Sequence, residues 1–107
     1  MRRQGFTNQV ISIIHSIPPG RVSTYGMVAA MAGNSRAARQ VARILHSSSA
    51  REDLPWHRVI NRQGRISLPP FQGYELQKSL LEAEGVVFDS GDRVELAHVL
   101  WSPESAE

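Results

Sequence analysis

The strongest constraint on this chain is the placement of its helix breakers. Pro18-Pro19-Gly20 and Gly33-Asn34 cut the first part of the sequence into short pieces, and Pro69-Pro70 and Gly85 bracket another further on. Proline lacks the backbone donor that a helix interior needs, and glycine takes the left-handed backbone with which helices close. Between these breaks the apolar residues recur at helical spacing. Phe6, Val10, Ile13, Ile14 and Ile17 share one stripe, which predicts an amphipathic helix over residues 7–17.

Arg21-Val22 reads as a short extended link. Ser23 or Thr24 then caps a second helix with Val28, Ala29 and Met31 in its stripe. Gly33 fits the left-handed position that ends it, and Asn34-Ser35 restart the chain. A third helix is expected from Arg36 to His46. Two short helices joined by so tight a turn suggest a helix-turn-helix. The second of them spaces Arg36, Arg39 and Arg43 among alanines. Major-groove readers usually carry long polar side chains along the exposed face. Small residues instead let a helix approach a shallow surface, which points to minor-groove contact.

The rest of the chain reads in short pieces. Ser47 to Asp53 is a polar stretch with the composition of a loop. Asn61-Arg62-Gln63-Gly64 suggests a hairpin turn, with Arg65 to Leu68 as the returning strand. A fourth helix is expected from Phe71 to Glu84, with Leu76, Leu80 and Leu81 inward and Gly85 as its stop. Val86-Val87-Phe88 reads as a short strand, Asp89 to Asp92 as a turn, and Val94 to Trp101 as a last extended segment. The expectation is one mostly α domain with short β elements over residues 1–107, with a frayed tail over 102–107.

Charge is unevenly distributed. Residues 1–65 hold ten arginines against two acids, a net of +8, while residues 66–107 hold two cations against eight acids, a net of −6. A basic first part suits a polyanion, and arginine suits phosphates and base edges. There is no cysteine, which excludes disulfides, thiolate metal sites and redox motifs. His15, His46, His57 and His98 are scattered without ligand spacing, so no metal site is expected. No apolar run approaches the roughly 18 residues of a membrane span. The start has arginines but no apolar signal core. A soluble intracellular protein is the expectation.

The most specific motif is Pro55-Trp56-His57-Arg58-Val59-Ile60. With FTNQV, IPPGRVSTYG, AGNSRAAR and LLEAEG in order, it resembles the C-terminal domain of the O6-alkylguanine-DNA alkyltransferases from about Phe6 to Gly85. In those proteins a cysteine stands at the position of Trp56 and takes the alkyl group. An indole cannot do so, because its nitrogen lone pair belongs to the ring. That substitution narrows the resemblance to the alkyltransferase-like proteins, which bind O6-alkylguanine without repairing it and pass it to nucleotide excision repair.

The resemblance implies a winged helix-turn-helix that enters the minor groove and flips the damaged base. It implies Arg39 as an arginine finger filling the vacated stack. Tyr25, Trp56 and Val59 would form the alkylguanine pocket, Tyr25 through its hydroxyl and Trp56 and Val59 through backbone carbonyls that accept from the guanine amine. Ala37, Ala38, Gln40 and Ala42 would approach the groove, and Thr7 and Asn61 would touch phosphates. His57 and Glu84 correspond to residues that activate the enzymes' cysteine; without a nucleophile they are read as structural. Two departures stand out. Ser48 replaces an asparagine that braces the helix-turn-helix, and LPPFQGYE replaces the YSGG-like loop over the guanine.

The implied protein is a damage sensor and not an enzyme. It needs no cofactor, and its partners are double-stranded DNA containing O6-alkylguanine and excision-repair proteins. It would act as a monomer without membrane contact, in the cytoplasm at the nucleoid, or in the nucleus of a eukaryote. Two other readings stay open: a sequence-specific helix-turn-helix transcription regulator, and a hydrolase using His57 and Glu84.

Overall fold

The computed structural model describes residues 5–103. The order is α1 (Gly5–His15), β1 (Ser23–Thr24), α2 (Tyr25–Met31), α3 (Ala38–Glu52), a 3-10 turn (Trp56–Arg58), β2 (Val59–Ile60), α4 (Tyr74–Ala83) and α5 (Leu96–Val99). This is the expected mostly helical domain with short β elements. The tail expected to fray lies, beyond residue 103, outside the described residues.

Local chemistry sets the helix-turn-helix. The Thr24 hydroxyl accepts from the Met27 N–H and caps α2. At the other end the Gly33 and Asn34 N–H groups donate back to Ala30 and Ala29. Gly33 holds φ +101, which side chains rarely adopt, so the turn into α3 needs glycine there.

α3 is longer than expected. The serines read as loop are helical: Ser48 is buried in the packing of α3, and the Ser47 and Ser49 hydroxyls donate to the carbonyls of Ile44 and Leu45. The Ser48 hydroxyl receives Arg51. The helix stops at Asp53, which sits left-handed at φ 54, and Leu54 donates back to Ser49.

The β elements also differ from expectation. β1 and β2 pair in parallel, Ser23 with Val59 and Thr24 with Ile60. The segment Arg65 to Leu68 forms no strand; instead Asn61 accepts the Gln63 and Arg65 N–H groups through its side-chain oxygen and closes a turn. Val86 to Phe88 contributes only an isolated bridge from Phe88 to Val94. Within Val94 to Trp101, one helical turn (α5) is followed by a bridge from Leu100 to Val22. Such short segments take their conformation from their partners, which local propensity does not reveal.

α4 starts at Tyr74 and not at Phe71, because Phe71 and Gly73 have φ of 66 and 114, outside the helical region. Its inward residues are Gln77 and Leu81, four apart on one face. Leu80 is half-buried, and Leu76, expected inside, is 56% exposed.

Among the described residues, two apolar clusters hold the fold. One joins α1, α2 and α3 with Leu54, Val59 and Trp101. The other gathers Val22, Ile60, Ile66, Leu81, Val86 and Val94. Successive residues of β2 point to opposite faces, so Val59 enters the first cluster and Ile60 the second. The parallel pairing therefore fixes the start of α2, with Tyr25, beside the turn that carries Trp56.

Candidate nucleic-acid interface

α3 buries Val41, Ile44, Leu45 and Ser48 and leaves Arg39, Gln40, Ala42, Arg43 and His46 exposed. Ala38 is half-buried at the start of this face. Ala37 lies just before the helix and is 8% exposed, packed in the first cluster, so its methyl group offers no outer surface. The exposed face thus carries two arginines, a glutamine and a histidine around a small residue.

Beside this face lies an open cleft of about 570 Å³, within the roughly 300–1,000 Å³ of ligand pockets. Tyr25 walls it from α2, Ala42, Leu45, His46 and Ser49 from α3, and Trp56 from the 3-10 turn. Ser67, Leu68, Gln72 and Gly73 form its lip, and Leu76 and Gln77 complete it from α4. The Tyr25 hydroxyl and the Ser67 hydroxyl lie 3.0 Å apart. Trp56 is half-buried and meets the His57 ring edge-on, with centroids 6.1 Å apart. The wall is mostly apolar, with hydroxyls and amides at its edges.

Behind Trp56 sits a compact polar network. His57 Nε2 lies 2.8 Å from Glu84 Oε2. Arg58 donates to the same carboxylate from Nε and Nη2, and from Nη1 to the Ile17 carbonyl at 3.0 Å. The Gly20 N–H donates to Glu84 Oε1. Burial pushes a carboxyl pKa up, but the Arg58 guanidinium, the Gly20 N–H and His57 outweigh it, and Glu84 falls from 4.5 to about 2. The buried Gln77 amide donates to the His57 and Val59 carbonyls at 3.1 Å each. The network pins the 3-10 turn to the segment just after α1 and to α4.

The sequence-derived residues divide by location. Tyr25, Trp56 and Ala42 meet in the cleft. Val59 is buried behind it. Its carbonyl already receives Gln77, and the Trp56 carbonyl receives the Val59 N–H; each oxygen keeps a second lone pair. Arg39 and Gln40 lie on the adjoining face of α3. His57 and Glu84 are paired directly. Thr7 on α1 and Asn61 in the turn after β2 line no part of the cleft, and the Asn61 oxygen is committed to its turn.

Sequence reasoning missed Arg58, Gln77, Ser67 and His46. Gln77 had a signal: it stands where the α4 stripe calls for an apolar residue, four before Leu81. Arg58 had a weaker one, a cation inside an otherwise apolar motif. His46 had one as well, four residues after Ala42 on the same expected helix face, and Ser67 had none.

Fold and site together define a helix-turn-helix protein whose second helix flanks a base-sized cleft. Residues 5–86 match the family model described as 6-O-methylguanine DNA methyltransferase, DNA binding domain. The chain is 44% identical over 100 residues to a DNA base-flipping protein of Vibrio parahaemolyticus, covering 92% of this chain and 97% of that one. It is 37% identical over 108 residues to alkyltransferase-like protein 1 of Schizosaccharomyces pombe, covering 96% of this chain and all of the relative. The crystal structure of S. pombe Atl1 in complex with damaged DNA containing O6-carboxymethylguanine superposes with a TM-score of 0.82 at 37% identity, over 96% of this chain and 100% of that one. The chain belongs to the alkyltransferase-like branch of this DNA-binding family.

Proposed function

We propose that this protein senses DNA damage by binding duplexes that carry O6-alkylated guanine, flipping that base into the cleft beside Trp56 and leaving its alkyl group in place. One observation carries the reading: Tyr25 and Trp56 face a single open cleft next to the arginine-bearing side of α3. A helix in the minor groove supplies phosphate contacts, while flipping costs a few kcal/mol of stacking and pairing. Arg39, one turn before the cleft residue Ala42, has the length and charge to fill the vacated stack. The aromatic and aliphatic cleft wall offsets part of the cost by sheltering the adduct, at about 0.8 kcal/mol per buried methylene. The relatives' base-flipping name and the O6-carboxymethylguanine complex support the same substrate class.

The cleft wall holds no thiol, and the chain has no cysteine at all, so no thiolate is there to take the alkyl carbon. Removal of the lesion therefore falls to other proteins, and nucleotide excision repair is the partner system that fits, with this chain acting as a monomer. Retention of excision-repair proteins on a lesion duplex only when this chain is present is the corresponding test.

The direct experiment compares duplexes with O6-methylguanine and with guanine at one fixed salt concentration, because electrostatic affinity depends on salt. The expected result is tighter binding of the modified duplex, a change in Trp56 emission in a Trp101→Phe background, and a labelled methyl group that stays on DNA. Equal affinity for the two duplexes, or label found on protein, overturns the reading.

A further inference from the structure

Among the described residues, His46 is the one basic side chain that lines the cleft. It is exposed on α3, and the cleft residues four before it and three after it are Ala42 and Ser49. Both are small, so the imidazole stands above its neighbours on that strip of wall. The other elements around the cleft contribute Tyr25 from α2, Trp56 from the 3-10 turn, Ser67, Leu68, Gln72 and Gly73 from the lip, and Leu76 and Gln77 from α4. None of these is acidic, and Tyr25 is the one other titratable group. On its own helix, His46 shares a shallow outer hollow with the Arg43 cation. Among the described residues it therefore meets no carboxylate in the cleft.

We propose that His46 sets the adduct preference of the cleft by giving a charge-assisted hydrogen bond, when protonated, to O6 substituents that end in an anionic group. The inference rests on the reading that the cleft holds an O6-alkylated guanine, and goes further by naming a residue that sorts adducts by charge. A plain alkyl substituent has no acceptor for the imidazolium; a carboxyalkyl substituent has two oxygens. Imidazole ordinarily changes charge between pH 5 and 8, whereas a carboxyalkyl group is already ionised throughout that range. The preference for anionic over neutral adducts thus grows on acidification.

The test measures the affinity ratio of O6-carboxymethylguanine to O6-methylguanine duplexes at pH 5.5 and pH 8, at equal ionic strength, for the native chain, His46→Gln and His46→Lys. The ratio cancels the phosphate contacts common to both duplexes. The cleft is open to solvent, so a solvated ion pair is the guide to size, and the native ratio is expected to rise roughly three- to fivefold at the lower pH. His46→Gln should flatten the ratio, and His46→Lys should hold it high at both pH values. A native ratio that does not move, a rise that survives His46→Gln, or a lysine variant that behaves like glutamine overturns the role of His46 while leaving lesion binding intact. If neither modified duplex binds better than unmodified DNA, the sensing function fails and this inference fails with it.

Discussion

Arg58 and Glu84, twenty-six residues apart in sequence, meet with the Arg58 Nη2 2.6 Å from Glu84 Oε2. Their side chains are 15% and 16% exposed. Arg58 also holds the segment just after α1 through the Ile17 carbonyl. The pair is thus the joint between the helical half, the 3-10 turn that carries Trp56, and the end of α4. Removing one member of a largely buried pair leaves the other charge without its partner. Arg58→Met should lower unfolding free energy by about 2–3 kcal/mol, read as a reduced midpoint in urea at an unchanged slope. A midpoint equal to that of the native chain would contradict this placement.

The same carboxylate makes stability depend on pH in a defined window. The folded pKa of Glu84 is depressed from 4.5 to about 2. Its contribution is therefore fully present above the unfolded value and is lost as pH falls from about 4.5 towards 2. The unfolded chain binds the extra proton in that window, so stability decreases with acid. A shift of this size corresponds to about 3 kcal/mol at most. Titrating urea stability from pH 6 to pH 2 should give a shallower acid slope for Glu84→Gln than for the native chain. Parallel slopes would mean that Glu84 titrates normally in the fold.

Gln77 is 2% exposed and gives both amide hydrogens to backbone carbonyls, those of His57 and Val59. Leucine at this position keeps the volume but leaves a buried acceptor at Val59 and a part-buried one at His57 short of a donor, the buried one worth about 1–3 kcal/mol. Gln77→Leu should destabilise the protein by at least 1 kcal/mol on this basis. Because those carbonyls frame the turn beneath Trp56, affinity for O6-methylguanine duplex should fall more than affinity for plain duplex. Equal losses on the two duplexes would show that Gln77 acts on stability alone.

The contrast between Thr24 and Ser47 shows which parts of this fold can be read from sequence. Thr24 and Gly33 act locally, through a cap three residues ahead and a left-handed backbone, so α2 and its turn into α3 were legible. Ser47 and Ser49 have loop propensity, but within a helix held by Ile44, Leu45 and Ser48 their hydroxyls turn back to the carbonyls one turn earlier. Tertiary packing decided what propensity left open. The pairing of Ser23 with Val59 lies beyond local reach, since two-residue strands carry almost no pattern of their own. Leu76 was placed inside by its stripe, yet Gln77 takes that direction because two distant carbonyls need its amide. In the site, Trp56 and Tyr25 were found through motif order, whereas Ser67 reaches the cleft only through the tertiary placement of the segment before α4.

Arg39 and Arg43 are both exposed cations on α3 and should nonetheless separate in function. Neither substitution to alanine should change stability by more than about 0.5 kcal/mol, as befits exposed positions. Arg39→Ala should weaken binding to an O6-methylguanine duplex by roughly tenfold or more, because the gap left by an extruded base would go unfilled. Arg43→Ala should weaken modified and unmodified duplexes alike and reduce the salt slope by about one, the signature of a lost phosphate contact. Titrations of both variants on both duplexes at several salt concentrations decide the matter. If Arg39→Ala shows the uniform loss predicted for Arg43, the finger assignment is wrong.

Replacing Trp56 by cysteine tests whether a thiol alone would turn the cleft into a methyl acceptor. The thiolate is the reactive form, so a neighbouring base or cation must lower the thiol pKa. His57 is adjacent in sequence, but its Nε2 is tied to Glu84 at 2.8 Å. That carboxylate already receives Arg58 and the Gly20 N–H. The Arg58 cation offsets the negative charge that would otherwise stabilise an imidazolium formed by taking a proton from sulfur. Trp56→Cys is therefore expected to bind modified duplex more weakly, through loss of the indole wall, and to leave a labelled methyl group on the DNA. Stoichiometric label on the protein, found by mass spectrometry at the residue 56 peptide, would show that the surrounding network still activates a nucleophile and that only the side chain at this position separates binding from repair.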